Sequence, residues 1–198
     1  MNQWLPFILF ASVASITPGP TNLLILGSAA RFGLPVALAI ALGACVGASL
    51  MLLVVGLGLG ELLLRTPLLQ TAMTWAGVAW ISWMACKLMR RDAAGIDDKP
   101  IDRRQGFIQG AGLQLINPKT WLMTVSVTGI FLGGDASFAA VTAYAVLFLL
   151  VSTPCLVIWG LLGAGGARLL RKPARLLLFN RAMALLLLAS VWLPLLLR

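Results

Sequence analysis

Six apolar runs divide the chain, at roughly residues 4–30, 35–60, 67–89, 106–132, 137–166 and 176–197. Each is long enough to cross about 30 Å of hydrocarbon as a helix, in which the backbone groups bond within their own segment. The first, fourth and fifth exceed that minimum, which predicts tilt or interruption. Composition points the same way. Of 198 residues 60% are apolar and 11% charged, where a soluble domain carries about 25% charged residues. A water-soluble fold has no way to cover that much apolar surface. The expectation is an all-α integral membrane protein with six transmembrane helices, as a single domain over residues 1–198.

The same composition removes whole chemistries. There is no histidine, hence no Ser-His-Asp triad, no histidine metal site and no imidazole proton shuttle. Cys45, Cys86 and Cys155 are far apart in apolar runs, and an odd count without CxxC spacing speaks against a disulfide framework. Gly56, Gly58 and Gly60, like Gly163, Gly165 and Gly166, lack the following Lys-Ser or Lys-Thr of a phosphate loop. No enzyme activity, cofactor or metal is expected. The net charge of +9 comes from basic residues that bracket apolar runs, without the stripe that nucleic acid demands. No Lys or Arg precedes Arg31, so residues 11–14 (Ala-Ser-Val-Ala) read as part of an uncleaved first span.

Lys and Arg are shared unevenly between the loops, and cytoplasmic loops carry the excess. The loops after the first, third and fifth runs hold Arg31; then Lys87, Arg90, Arg91, Lys99, Arg103 and Arg104; then Arg168, Arg171, Lys172, Arg175 and Arg181. The opposite side holds Arg65 and Arg198. This predicts odd-numbered loops in the cytoplasm and both termini outside. Residues 90–105, rich in Asp, Lys and Arg, read as a cytoplasmic linker between repeat 1 (about 1–89) and repeat 2 (about 106–198).

The two halves carry related motifs. The first run contains Ser15-Ile16-Thr17-Pro18-Gly19-Pro20-Thr21-Asn22 and the fourth contains Leu115-Ile116-Asn117-Pro118-Lys119-Thr120. Thr17-Pro18 and Asn117-Pro118 each fall in the first run of a set of three. An odd number of spans turns the second copy upside down, the inverted 3+3 repeat of many secondary transporters.

Proline inside a helix removes a backbone bond and clashes with the preceding turn, at about 3 kcal/mol. Pro18, Gly19 and Pro20 should therefore break the first span, and Pro118 the fourth. Thr or Asn before Pro is an N-cap and N1 pair, so Thr17 and Asn117 are each expected to open a new half-helix at mid-membrane. Such an end offers unpaired N–H groups and about half a positive charge, which suits a carboxylate. Lys119 would lie one residue beyond Pro118, where the dipole disfavours a cation. No Asp or Glu occupies a span core, since Glu61 and Asp135 fall in loops. Lys119 thus has no internal counter-ion, and a substrate carboxylate is its expected partner; it is also a candidate for a proton-linked group. Thr17, Asn22, Gln114, Asn117 and Lys119 form the expected binding set, with Thr21 and Thr120 within a turn of the breaks. Asn180 reads as structural. Gly43-Ala44-Cys45-Val46-Gly47 is a GxxxG pattern that permits close helix contact. Trp75, Trp80 and Trp83 read as core or interface-belt residues.

These residues carry a family likeness. Thr17-Pro18-Gly19-Pro20 with Asn22, the series Gly33, Gly43 and Gly47, the segment from Trp75 to Trp83 extended to Lys87, and Asn117-Pro118-Lys119 together resemble the LysE/RhtB family of amino-acid exporters. The last run is similar to that of the cysteine and O-acetylserine exporter subgroup. The resemblance implies a multi-pass protein of the bacterial cytoplasmic (inner) membrane that exports small amino acids or close relatives, driven by an ion gradient or by substrate. Some members carry an acidic residue in the fifth span, where this chain has Ser152-Thr153-Pro154, which speaks against carboxylate-based proton coupling.

The expected function is amino-acid export by alternating access, with a small amino acid, a coupling proton and membrane lipid as partners, and no nucleic acid. Two alternatives remain at this point. One is a membrane thiol relay through Cys45 and Cys155, which needs its sulfurs paired near the breaks. The other is export of cationic drugs or metals, which the absence of acids and histidines in the spans disfavours.

Overall fold

The computed structural model describes residues 3–59, 66–89, 102–133, 136–166 and 173–196. Among them all regular structure is helical: α1 (Trp4–Ile16), α2 (Pro20–Phe32), α3 (Leu34–Val54), α4 (Pro67–Met89), α5 (Arg103–Ile116), α6 (Pro118–Val127), α7 (Phe138–Gly166) and α8 (Pro173–Leu196). α3 and α6 each run on into a short segment of wider π-helical turn, Val55–Leu59 and Thr128–Leu132. Gly58 (φ 131°) and Gly133 (φ 72°) take conformations there that favour glycine.

Residues 90–101 of the linker lie outside the described residues. So do Arg65, Arg168, Arg171, Lys172 and Arg198, which entered the orientation argument. The far end of the linker is shorter than expected. The Asp102 carboxylate accepts from Gln105 N at 2.7 Å and caps α5, so helix begins at Arg103 and not after Gln105. An N-cap Asp ahead of helix-forming Arg and Gln residues outweighs the polar composition of the segment.

The exterior is apolar. Leu5, Leu9 and Val13 on α1, Leu122 on α6, Leu150 and Leu162 on α7, and Leu178 and Leu185 on α8 all leave more than half their surface uncovered. Such a surface suits lipid and not water. α3 extended to Gly58, and α7, are each long and apolar enough to cross a membrane. α1 and α2 meet that test together, bent by 54° at a break of the kind found in interrupted spans or re-entrant loops.

Between lipid-facing helices there is little hydrophobic drive, so close contact needs small residues. Gly43 and Gly47 on α3, and Gly106 and Gly110 on α5, lie in the contact between the two helices. A Cβ on Gly43 would overlap the carbonyl oxygen of Phe107, and one on Gly110 that of Ile40. Gly163 brings α7 against the Leu26 carbonyl of α2 in the same way. Gly77 on α4 lies against the Pro118 ring, where a Cβ would come within 2.7 Å. α4 and α8 pack through Ile81, Ala85, Ala184 and Leu187, with Leu23 of α2 joining them. Two further clusters fill the centre. Phe7, Leu52, Val127, Tyr144 and Phe148 make one; Ile25, Ile40, Ala44, Cys45 and Leu156 make the other.

Candidate functional site

The first interruption follows from its two prolines. Proline drives the residue before it out of the helical region. Thr17 (φ −63°, ψ 132°) and Gly19 (φ −166°, ψ 179°) are both extended, so α1 stops at Ile16 and α2 starts at Pro20 with Gly19 as its N-cap. This corrects the expectation for Thr17. It closes α1 instead of opening α2: its hydroxyl donates to Val13 O at 2.5 Å and its N–H to the same oxygen at 3.1 Å. The second proline shifts the helix start past Thr17.

The last carbonyls of α1 find side-chain donors. Asn22 Nδ2 donates to Ser15 O at 2.9 Å, Trp159 Nε1 of α7 to Ile16 O at 3.2 Å, and Lys119 Nζ to Thr17 O at 2.6 Å. At the other end of the break Gly19 has no side chain to offer. The N–H groups of Thr21 and Asn22, in the first turn of α2, meet no acceptor among the described residues.

The second interruption is a single residue. Asn117 (φ −84°, ψ 109°) separates α5 from α6, and Pro118 occupies N1. Asn117 Oδ1 accepts from Lys119 N at 3.2 Å, while Asn117 O accepts from Thr120 N at 3.0 Å and Trp121 N at 3.3 Å. Trp121 Nε1 returns to Leu115 O at 2.8 Å. This helix start satisfies its own donors.

The Thr21 hydroxyl ties the interruptions together. It accepts from Gln114 Nε2 at 3.1 Å and Asn117 Nδ2 at 3.2 Å, filling both lone pairs. Gln114 also donates to Gly110 O at 2.9 Å and accepts from the Thr120 hydroxyl at 2.7 Å. Thr21, Asn22, Gln114, Asn117 and Thr120 are all buried. A connected polar network of this kind is stable in an apolar surround because each member has its partners.

Beside the network lies a cavity of about 50 Å³, room for about four water-sized groups. Its polar wall comes from the two interruptions: Ser15, Thr21, Asn22, Gln114, Asn117 and Lys119. Its apolar wall comes from Ala44, Cys45 and Ala48 of α3 and from Phe148 and Leu156 of α7, so it sits between the two central clusters. Of the expected binding set, Asn22, Gln114, Asn117 and Lys119 line the cavity. Thr17 does not, and contributes its carbonyl to Lys119 instead. Asn180 on α8 is not among the lining residues. Lys119 has an internal partner after all. It is a backbone oxygen at the C-terminal end of α1, where the helix dipole favours a cation.

Four contributors escaped the sequence reading. The Ser15 hydroxyl is buried and has no hydrogen-bond partner among the described residues. Trp121 and Trp159 cap carbonyls at the two interruptions; an indole N–H deep in an apolar run, which needs an acceptor, was the available signal. Ser152 lines the cavity from α7.

A helical bundle with a lipid-facing exterior, built around a polar cavity between two helix interruptions, is a multi-pass membrane transporter. The chain belongs to the LysE type translocator family, which matches residues 12–192. A cysteine/O-acetylserine efflux protein of Salmonella paratyphi A is 31% identical over 183 residues, 91% of each chain. One of the same name from Escherichia coli O1:K1 / APEC is 31% identical over 185 residues, again 91% of each. No solved structure matches the chain.

Proposed function

We propose that this translocator exports small zwitterionic amino acids from the cytoplasm across the bacterial inner membrane by alternating access. In this reading the chain forms six spans as an inverted 3+3 repeat, with α1–α2 as the broken first span and α5–α6 as the broken fourth. The odd-numbered loops face the cytoplasm and both termini face outward. The observation that carries the proposal is the convergence of Lys119, the open first turn of α2 and the amides of Asn22, Gln114 and Asn117 on one small central cavity. Broken helices present such ends to charged substrates in several transporter folds. The names of the relatives, cysteine/O-acetylserine efflux proteins, agree with the cavity's lack of carboxylates.

Lys119 pairs with the substrate carboxylate, and the two halves rock about this point. A proton gradient is the coupling candidate, with no carboxylate in α7 to carry it. The test is efflux from loaded proteoliposomes across a panel of amino acids, with and without a proton gradient. Short uncharged amino acids should leave faster than bulky or charged ones. Export of simple amines at the same rate as amino acids, or efflux of none of the panel, would reject the proposal.

A further inference from the structure

The α1–α2 interruption offers both signs of charge to one ligand. α1 ends there with outward carbonyls, its negative pole; α2 begins there with the unbonded N–H groups of Thr21 and Asn22, its positive pole. The negative pole is already occupied, because Lys119 Nζ donates to Thr17 O at 2.6 Å. Lys119 reaches it from the second interruption by lying across Gly19. A Cβ on Gly19 would come within 3.1 Å of Lys119 Cδ and 3.3 Å of Nζ. The positive pole has no acceptor among the described residues. In the same cavity the Ser15 hydroxyl, only 8% exposed, has no partner among the described residues. A buried hydroxyl left unpaired pays its full desolvation cost, so a ligand group that reaches it gains.

We infer that Lys119 holds the seat of the substrate's amino group. Its ammonium caps α1 across the interruption. An entering zwitterion sets its own ammonium on Thr17 O and Ser15 Oγ and its carboxylate on the N–H groups of Thr21 and Asn22. The displaced Lys119 then pairs with that carboxylate. One ammonium leaves the α1 end as another arrives, so the exchange preserves the charge there. A ligand without an amino group cannot drive it. The inference rests on the pairing of Lys119 with the substrate carboxylate and adds the competition for a single seat.

Calorimetric titration of the detergent-purified protein separates the two claims, using O-acetyl-L-serine, propylammonium and propionate as probes. In Lys119→Met, propionate affinity should fall about tenfold and propylammonium affinity should rise about tenfold, the range of one hydrogen bond to a charged group. Adding Ser15→Ala should cut the propylammonium gain severalfold, leaving what Thr17 O alone provides, and leave propionate as it was. A gain undiminished in the double variant reflects relief of like-charge repulsion alone and overturns the seat. Weaker propionate binding with no propylammonium gain also overturns the seat, while Lys119 keeps its carboxylate role. Unchanged binding of all three probes in Lys119→Met overturns both claims. Lys119→Gln serves as the second variant, with helical circular dichroism as the check on folding.

Discussion

The two interruptions share a motif and differ in how they close. α5–α6 breaks at one residue, Asn117, whose side chain and carbonyl satisfy the first donors of α6. α1–α2 breaks over Thr17, Pro18 and Gly19, bends by 54°, and leaves the donors of α2 uncapped. The second proline accounts for the difference. Pro20 moves the cap to a residue with no side chain, where the other half has an asparagine. The two also meet at equivalent positions, since Lys119 packs on Gly19, which stands in the place of Lys119 in the first motif. The two interruptions thus divide the labour. The capped one supplies side chains, and the uncapped one supplies bare helix poles.

That contrast can be broken in stages. Lys119→Gln should have the largest effect, lowering amino-acid efflux from proteoliposomes about a hundredfold, because the cation that links the two interruptions is lost. Unchanged efflux would remove Lys119 from the mechanism. Gly110→Ala should act on the support of the capped interruption. Its Cβ would overlap the Ile40 carbonyl, and forcing α3 from α5 should cost about 1–3 kcal/mol or more, read as a lower unfolding temperature in detergent. Asn117→Ala should cost about 1 kcal/mol for the cap, plus the bond to Thr21; Asn117→Ser should recover the cap but not that bond. If Ser and Ala behave alike, the cap is not what distinguishes the interruptions. Gly19→Ala should be mildest. Its extended backbone accepts any residue, so folding should be unchanged, while the crowded Lys119 shifts by a few tenths of an ångström and efflux falls about two- to fivefold.

Much of the helical layout was legible from hydropathy. The third run coincides with α4, the fifth with α7 to within one residue at its start, and the second with α3 and its extension. Pattern length suffices here because lipid imposes one solution on any long apolar segment. The linker end was less legible, since Arg103, Arg104 and Gln105 are polar in composition yet helical once Asp102 caps them. Among the cavity-lining residues, Asn22, Gln114, Asn117 and Lys119 were legible because amides and a cation stand out in apolar runs. Ser15 was passed over because a serine is common in such runs and its missing partner is visible only in three dimensions. Gly106 and Gly110 were missed for a similar reason: glycine spacing acquires meaning from the opposing Gly43 and Gly47.

Proline placement and the lack of buried acids were enough to indicate where the helices stop and that a lone cation sits between them. Both are local or compositional facts, set by covalent geometry and by the cost of charge in lipid. Which partner Lys119 takes, and which of two similar motifs keeps open donors, depended on how the helices pack. The bond to Thr17 joins residues 102 positions apart. It exists because glycine contacts press α5 onto α3 and α7 onto α2, bringing both interruptions to one cavity.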